Sequence, residues 1–354
     1  MTIPTEPIGS IPRPQALIDG MSAFATGRMT RQELDALAAA AIRDTIARFE
    51  ATGSPVITDG EQTKPSFATY PIHGLTTLAP DGVTIPFADG HTRQLPRLTA
   101  GPFQYGTYAE TYLQAAQRVA RVPVKQAVIS ASALSLLYPQ AGIEGYARDA
   151  FLDDLAREHE ADIRRCLQKG AHVVQVDFTE GRLAVKLDPS GQLLQSFVDL
   201  NNRVLRRFSK EQRARIGVHT CPGGDQDSTH SADVDYAGLL PGLFQLDAGN
   251  FYIQLASEPD RARVLGIIKQ HAKPHQRLFV GVIDPIDPRV ETAAEVRDRV
   301  LEAAEHIPVA QLGTTDDCGF SPFGDDTSTA RDTAFAKIRA RVEGTALAAK
   351  ALGV

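Results

Sequence analysis

The chain alternates short, almost continuously apolar runs with longer segments in which apolar residues recur at helical spacing. The first pattern is typical of buried parallel strands, and the second of the helices that cover them. Eight runs have strand character and contain β-branched residues: "TEPIGS" near the start, "SPVITDGE" (54–61), "VKQAVIS" (124–130), "HVVQVDF" (172–178), "RIGVHT" (215–220), "NFYIQL" (250–255), "LFVGVID" (278–284) and "VAQLGT" (309–314).

Most of these runs are separated by enough residues for a helix. Thr30 and Glu33 form a capping box that predicts a helix ending near Gly53. Residues 146–171 predict a second helix, with Cys166 on its apolar side, and residues 289–307 and 328–352 predict two more. Eight strand–helix units in 354 residues predict a (β/α)8 TIM barrel that forms a single domain over residues 1–354. A doubly wound open sheet is the alternative.

The section from residue 75 to residue 102 does not fit the alternation. It is rich in glycine and proline and carries two turn sequences, Asp81-Gly82 and Asp89-Gly90. Such dipeptides between short strand-forming runs are typical of hairpins. We therefore expect a β-hairpin inserted into the barrel near residues 75–102.

Polar residues end the predicted strands, where a TIM barrel has its active site. His219 and Cys221 lie two positions apart on an extended segment, so both side chains can face one metal ion. Cys318 follows the last predicted strand. Position alone leaves a metal site and a buried core cluster as open alternatives. The remaining strand ends carry Ser10, Asp59 and Glu61, Ser130, Asp177, Gln254 and Asp284.

Composition and charge narrow the class of protein. The formal net charge of −6 gives no basic surface for nucleic acid. No apolar run approaches the roughly 18 residues of a membrane span, and the N-terminal residues do not resemble a signal peptide. Three scattered cysteines make no disulfide framework. These features predict a cytoplasmic protein that acts on small molecules, and they leave homo-oligomerisation open.

Five segments, taken in order, resemble the C-terminal catalytic half of cobalamin-independent methionine synthase, whose superfamily includes uroporphyrinogen decarboxylase. They are "IGSIPRP", "DGE" (59–61), "QVDF" (175–178), "HTC" (219–221) and "DCGF" (317–320). The resemblance implies a (β/α)8 barrel, in agreement with the strand count. It also implies an S-methyltransferase of methionine biosynthesis that moves a methyl group from a folate-type or other small donor to homocysteine or a related amino-acid thiol.

The resemblance assigns roles to particular residues. It implies that Zn²⁺ is bound by His219, Cys221 and Cys318. It implies that Ser10 binds the carboxylate of the amino-acid thiol and that Glu61 and Asp177 bind its ammonium group. Zinc would convert the thiol to the nucleophilic thiolate.

Several positions depart from the family. Gln254 lies where the family has a glutamate ligand, so the fourth protein ligand is either Gln254, binding weakly or not at all, or Glu258 reaching in. Asp284 replaces a histidine associated with acid–base chemistry and is the predicted catalytic residue. Phe178 and the lack of tryptophan also separate this chain from the synthases. Because these last departures concern the methyl donor, thiol chemistry is predicted more firmly than a polyglutamyl folate donor.

Three alternatives remain open at this point. An epoxyalkane:coenzyme M-type thiol alkyltransferase would use zinc in the same way but needs a basic sulfonate pocket. A metal-free, decarboxylase-like barrel would leave the cysteines unexplained. A non-catalytic binding protein on the same scaffold would not need the metal ligands. Residues 221–236 predict a long loop over the barrel mouth, and four further candidates for the mouth are Arg13, Lys64, His73 and His230.

Overall fold

The computed structural model describes residues 2–354 and has a parallel sheet at its centre. The strands within these residues are β1 (Leu78–Ala79), β2 (Thr84–Pro86), β3 (Thr92–Gln94), β4 (Arg97–Leu98), β5 (Gln126–Ile129), β6 (Val174–Asp177), β7 (Ile216–Thr220), β8 (Gly224–Asp225), β9 (Ser228–Thr229), β10 (Asn250–Ile253), β11 (Arg277–Ile283) and β12 (Leu312–Asp316).

Six strands form the central sheet in the order β12-β11-β10-β7-β6-β5, and every neighbouring pair is parallel. Two short segments extend it, because Thr5 forms a parallel bridge with Thr314, and Ile57 forms one with Val124. These two segments meet where the amide of Ile11 donates to the carbonyl of Gly60 at 3.0 Å. The sheet therefore closes into the predicted eight-membered barrel, and the open-sheet alternative is wrong.

The helices surround this barrel. They are α1 (Gln15–Ala25), α2 (Arg31–Ala51), α3 (Glu110–Gln117), α4 (Ala131–Ser135), α5 (Arg148–Gln168), α6 (Glu180–Leu187), α7 (Gln192–Leu205), α8 (Lys210–Arg213), α9 (Leu240–Leu243), α10 (Arg261–His271), α11 (Ala293–Ala304) and α12 (Arg331–Leu352). Two 3-10 turns, Tyr70–Ile72 and Tyr236–Gly238, lie between them.

All four helices predicted from the sequence are present as α2, α5, α11 and α12. The capping box of Thr30 and Glu33 starts α2 as expected. Cys166 is fully buried on α5, which confirms its place in the core. No helix within residues 2–354 combines the length and the apolar character that a membrane crossing requires.

The predicted insertion is a nested antiparallel hairpin. β2 pairs with β3, and β1 pairs with β4, with Gly90 in the tight turn at a φ of 95°. The tip of the hairpin reaches the loop after β7, where the amide of Ala88 donates to the carbonyl of Thr229 at 2.9 Å. The inserted hairpin thus covers part of the barrel mouth, which the sequence pattern did not indicate.

A buried ionic network links the first and last parts of the chain inside the barrel. Arg341 on α12 donates to Asp316 at 2.8 Å and to the carbonyl of Glu6 at 2.6 Å. Tyr252 donates to the carboxylate of Glu6 at 2.5 Å, and the ammonium of Lys125 lies 3.6 Å from that carboxylate. Burial lowers the pKa of Lys125 to about 8. This network links the N-terminal segment to β10, β12 and α12.

A pH prediction follows from Asp162, a buried carboxylate on α5 that accepts from the hydroxyl of Tyr70 and, at 2.6 Å, from the amide of Ala109. Burial raises the pKa of Asp162 to about 6, above the roughly 3.9 of an unfolded chain. The folded state binds the proton more tightly, so this residue's contribution to the free energy of unfolding falls as the pH rises from about 4 to 6.

In Asp162→Asn, the free energy of unfolding measured with urea should fall less steeply between about pH 4 and 6 than in the wild type. Asp199→Asn, at an exposed site, should keep the wild-type pH dependence. Parallel profiles for the wild type and Asp162→Asn would contradict this assignment.

Candidate metal centre

Three predicted ligands meet at the ends of two strands. His219 lies on β7, Cys221 follows it, and Cys318 follows β12. Their ligand atoms all lie within 4.8 Å of one another, and the two sulfur atoms are 3.2 Å apart. The barrel therefore brings together residues that are 97 positions apart in the sequence.

The donor set fits a metal ion. Both ring nitrogens of His219 are buried and have no hydrogen-bond partner among the described residues. Buried polar groups left without a partner are uncommon and costly. The Cys221 thiol donates to the Cys318 sulfur, which lowers the pKa of Cys318 and raises that of Cys221. One imidazole and two cysteine sulfur atoms are ligand types that zinc prefers.

The two candidates for a fourth protein ligand are held by an arginine. Nη1 of Arg182 donates to Oε1 of Gln254 at 2.7 Å and to Oε1 of Glu258 at 2.8 Å. Arg182 is itself buried against the ring of Tyr236 and donates to the carbonyl of Val234 at 2.7 Å. Glu258 is not part of the cluster of metal-ligating side chains, and its carboxylate forms an ion pair with this guanidinium.

Asp317 fixes the loop that follows β10. Its carboxylate accepts from the amides of Leu255, Ala256 and Ser257 and from the hydroxyl of Ser257, at 2.7 to 2.8 Å. A Cβ on Gly281 would lie 1.8 Å from Oδ1 of Asp317, so the strand beside it needs a glycine. The sequence "DDC" pointed to Cys318, whereas its neighbour Asp317 holds in place the segment next to Gln254.

A small cavity of about 30 Å³ lies against the metal cluster. The residues predicted to bind the substrate line it together with two of the predicted ligands: Ser10, Glu61, Asp177, His219 and Cys318. The structure therefore brings the predicted thiol site to one place. The rest of the wall is formed by Ile8, Gly9, Phe67, Ala127, Gln175, Thr179, Gly223, Gly224, Gly319 and Pro322.

Glu61 is held in an unusual backbone conformation, with a φ of 54° that non-glycine residues rarely adopt. Its carboxylate accepts from Nζ of Lys64 at 2.8 Å. Burial opposes the charge on Lys64, but Glu61 and Asp59 outweigh it and raise the pKa of Lys64 above its ordinary value. Arg13 donates to the carbonyls of Glu61 and Lys64, each at 2.8 Å, and so supports the turn rather than the cavity.

Asp177 ends β6 and faces the same cavity. Nε2 of Gln175 donates to Oδ1 of Asp177 at 2.7 Å. Burial raises the pKa of Asp177 to about 6, and the charge of Glu61 also raises it, while His219 acts in the opposite direction. The carboxyl groups of Glu61 and Asp177 both line the cavity, and the ammonium group of Lys64 pairs with that of Glu61.

Asp284, the predicted catalytic residue, lines neither this cavity nor the larger one beside it. Its Oδ1 accepts from the amide of Ile286 at 3.0 Å, and its carbonyl accepts from Nζ of Lys337 at 2.9 Å. These contacts give Asp284 a place in the turn after β11. Its catalytic role stays a prediction, without a contact in this structure that supports it.

A larger cavity of about 540 Å³ adjoins the small one. The two share Phe67, Thr179, Gly223 and Gly224 as wall residues. Side chains of the inserted hairpin and of α4 make the larger cavity mostly apolar. Of the further candidates, His230 lines it, whereas His73 is exposed on a loop.

The predicted loop of residues 221–236 contains the short hairpin β8–β9. This hairpin joins the inserted one, because Arg93 donates to Asp225 at 3.1 Å and His91 lies 3.0 Å from the same carboxylate. The loop therefore forms part of the cover of the barrel mouth, as the sequence indicated.

Comparisons with known proteins agree with this geometry. The sequence model of the family described as "Cobalamin-independent synthase, Catalytic domain" matches residues 3–343. A 5-methyltetrahydropteroyltriglutamate–homocysteine methyltransferase from Syntrophotalea carbinolica is 23% identical over 331 residues, which are 90% of this chain and 40% of that protein. One from Nitratidesulfovibrio vulgaris is 24% identical over 325 residues, 90% of this chain and 39% of that protein. The chain thus spans about 40% of the length of these relatives.

Solved structures show the same fold. A B12-independent methionine synthase from Shewanella, in complex with selenomethionine, superposes with a TM-score of 0.78 at 18% identity, covering 99% of both chains. A methyltransferase from Methanosarcina mazei gives a TM-score of 0.52 at 13% identity, covering 97% of this chain and 94% of the other. At these identities the likeness concerns the fold alone.

Replacement of Asp317 tests the loop's dependence on this carboxylate. Asp317→Ala removes the acceptor of four donors, of which the amide of Leu255 is buried, and a buried donor that stays unsatisfied costs about 1–3 kcal/mol. We expect a loss of about 1–3 kcal/mol in the free energy of unfolding, measured by urea denaturation. Asp298→Ala, at an exposed site on α11, should change stability by less than about 0.5 kcal/mol. Equal stabilities of the two variants would contradict the anchoring role.

Proposed function

The chain belongs to the family of cobalamin-independent synthase catalytic domains, and on that premise we propose that it methylates the thiol of homocysteine. In this proposal His219, Cys221 and Cys318 hold a zinc ion. The observation that carries the proposal is that these three side chains cluster within 4.8 Å beside a cavity walled by Glu61 and Asp177. The names of the relatives support the choice of homocysteine as the acceptor.

Thiol activation is the first requirement of the reaction. A free thiol with a pKa near 8.5 is mostly protonated at neutral pH, and a bound zinc ion makes the coordinated thiol a thiolate. Three protein ligands leave a tetrahedral site one position for the substrate sulfur. Arg182 supports this arrangement because it donates hydrogen bonds to Oε1 of Gln254 and to Oε1 of Glu258. These oxygens would otherwise be available as a fourth protein ligand.

Orientation of the amino acid is the second requirement. Glu61 and Asp177 offer carboxylates to an ammonium group from the wall of the small cavity. Ser10 lies on the opposite turn, where its Oγ accepts from the amide of Ser321 at 3.1 Å, so its hydroxyl proton is free for a substrate carboxylate. Together they would hold homocysteine with its sulfur toward the cluster, and the product of methylation would be methionine.

The alternatives fit this site less well. Coenzyme M would bring a sulfonate to a wall that carries two carboxylates, and the cation nearest to them, Lys64, is already paired with Glu61. A metal-free decarboxylase would leave both ring nitrogens of His219 without a partner. A binding protein without catalysis would not need the complete set of His219, Cys221 and Cys318.

Metal analysis of the purified protein tests the zinc site. We expect about one zinc ion per chain, lost in Cys221→Ser and in Cys318→Ser because each replacement removes a thiolate ligand. Cys166→Ser is the matched control, since Cys166 lies in the core of α5 and should leave the zinc content unchanged. Metal-free but folded wild-type protein, or full zinc content in both ligand variants, would disprove the site.

The choice of thiol is tested by the proton released when a thiol binds the zinc-loaded protein. Homocysteine should release about one proton per site at pH 7, and coenzyme M should release far less at equal concentration. Asp177→Asn keeps an oxygen for Gln175 but removes the charge, so it should weaken homocysteine binding by about 10-fold to 100-fold. The exposed replacement Asp199→Asn should not weaken it, and a response to coenzyme M alone would overturn the assignment to an amino-acid thiol.

A further inference from the structure

A buried lysine lies behind the wall of the small cavity. Nζ of Lys64 donates to Oε1 of Glu61 at 2.8 Å and to the carbonyl of Ala127 at 3.0 Å. Glu61 and Ala127 both line the small cavity, whereas Lys64 lines neither this cavity nor the larger one. Lys64 therefore acts on a ligand in the small cavity through the residues of the wall.

Aromatic rings surround the ammonium group of Lys64. Nζ lies 4.7 Å from the ring centroid of Tyr70 and 5.7 Å from that of Tyr112, and the lysine side chain is fully buried. The face of an aromatic ring attracts a cation, but a charge enclosed in this way is costly unless it is also paired. The ion pair with Glu61 is therefore the contact that keeps Lys64 charged at this position.

Other charged and titratable groups lie near this ion pair on the elements packed around it. They are Arg13, Asp59, Tyr70, Tyr112, Asp162 and Asp177. The guanidinium of Arg13 donates to the backbone carbonyl of Glu61 and not to its carboxylate. Within residues 2–354, Lys64 is therefore the cation that contacts the carboxylate of Glu61.

We propose that Lys64 is a positioning residue for the amino group of the thiol substrate, because it keeps the carboxylate of Glu61 ionised and tethered by one oxygen. This inference rests on the proposed thiol methylation. The second oxygen of Glu61, Oε2, accepts no hydrogen bond within residues 2–354 and is the one left for the substrate's ammonium group. The φ of 54° at Glu61 adds to the need for a tether, since the backbone alone does not favour this turn.

The charge of Lys64 decides which form of Glu61 the substrate meets. A carboxyl group that is buried without a countercharge favours its protonated form, and such groups can hold a proton up to about pH 8 to 9. A protonated Glu61 offers no charge to an ammonium group and has to lose its proton when that group binds. Paired with Lys64, Glu61 is already a carboxylate when the substrate arrives.

The effect of Lys64 should be confined to thiols that carry an amino group. The compound 4-mercaptobutyrate has the carbon chain, the thiol and the carboxylate of homocysteine but lacks its amino group. It can bind through its sulfur and its carboxylate without contacting Glu61. Lys64 should therefore matter for homocysteine and not for 4-mercaptobutyrate.

Isothermal titration calorimetry of the zinc-loaded protein with these two thiols tests the proposal. Titrations in buffers of different ionisation enthalpy give both the affinity and the number of protons released per bound thiol. Lys64→Met removes the charge and keeps an apolar chain, and Lys64→Arg keeps the charge. Lys337→Met is the matched control, because Lys337 is also buried and pairs with Glu291 at 2.8 Å but lines neither cavity.

Lys64→Met should keep its zinc but lose about 10-fold to 100-fold in affinity for homocysteine at pH 7, and this loss should shrink as the pH rises toward 9. It should release about two protons per homocysteine where the wild type releases about one, because Glu61 gives up a proton together with the thiol. Its affinity for 4-mercaptobutyrate should stay within about twofold of the wild type. Lys64→Arg and Lys337→Met should match the wild-type proton counts with both thiols.

A double variant separates this role from a requirement for folding. Glu61→Gln/Lys64→Met replaces the buried ion pair by two neutral side chains, which proteins often tolerate. If Lys64 acts through Glu61, the double variant should bind homocysteine no more weakly than Glu61→Gln alone. This comparison does not depend on whether Lys64→Met by itself folds.

Three results would overturn the role of Lys64. They are an unchanged homocysteine affinity and proton count in Lys64→Met, an equal loss of affinity for both thiols in that variant, and a double variant that binds homocysteine more weakly than Glu61→Gln. Zinc-loaded wild-type protein that releases no proton with either thiol would instead contradict the proposed function.

Discussion

The meeting of one buried imidazole and two cysteine sulfur atoms at a single strand-end cluster is the constraint on which this site depends. His219 is enclosed by the barrel without a hydrogen-bond partner for either ring nitrogen among residues 2–354. Leaving such groups unsatisfied costs free energy that a metal ion can return through coordination. The surrounding scaffold, from the closure of the barrel at Thr5 and Thr314 to the loop anchored by Asp317, holds the three ligands at that point.

The arrangement of charges divides the mouth of the barrel into two chemical environments. The small cavity has carboxylates that suit an ammonium group and lies against the metal ligands. The larger cavity has aromatic and aliphatic walls, and its one free carboxyl oxygen belongs to Glu180. Glycines at positions 223 and 224 separate the two, and a Cβ on Gly223 would lie 1.8 Å from Nε2 of His230. The wall between the two cavities therefore depends in part on residues without side chains.

Much of this arrangement could be predicted from the sequence because it depends on local pattern. The strand ends fixed which polar residues would share the barrel mouth, and the turn dipeptides located the inserted hairpin. The ligand set of His219, Cys221 and Cys318 needed a family resemblance as well, because spacing alone did not distinguish a metal site from a core cluster. The structure then placed these residues together as expected.

What the sequence did not predict arises from contacts between distant residues. The guanidinium of Arg182, 72 positions before Gln254, contacts both Gln254 and Glu258. No local sequence pattern predicts these two contacts. Lys64 has the context of a loop residue yet is buried beside Glu61. The position of Asp284 in the family's order predicts a catalytic role, but its Oδ1 accepts from the amide of Ile286 and its carbonyl accepts from Lys337. Such pairings follow from tertiary packing, which overrides what a residue's neighbours in sequence indicate.

The central claim is that the thiol substrate completes a metal site built from one histidine and two cysteines. The X-ray absorption spectrum of the zinc-loaded protein, recorded before and after homocysteine is added, tests it most directly. The account predicts two sulfur ligands per zinc in the free protein and three after addition, with the histidine nitrogen retained. A sulfur count that does not change on addition of homocysteine would contradict it.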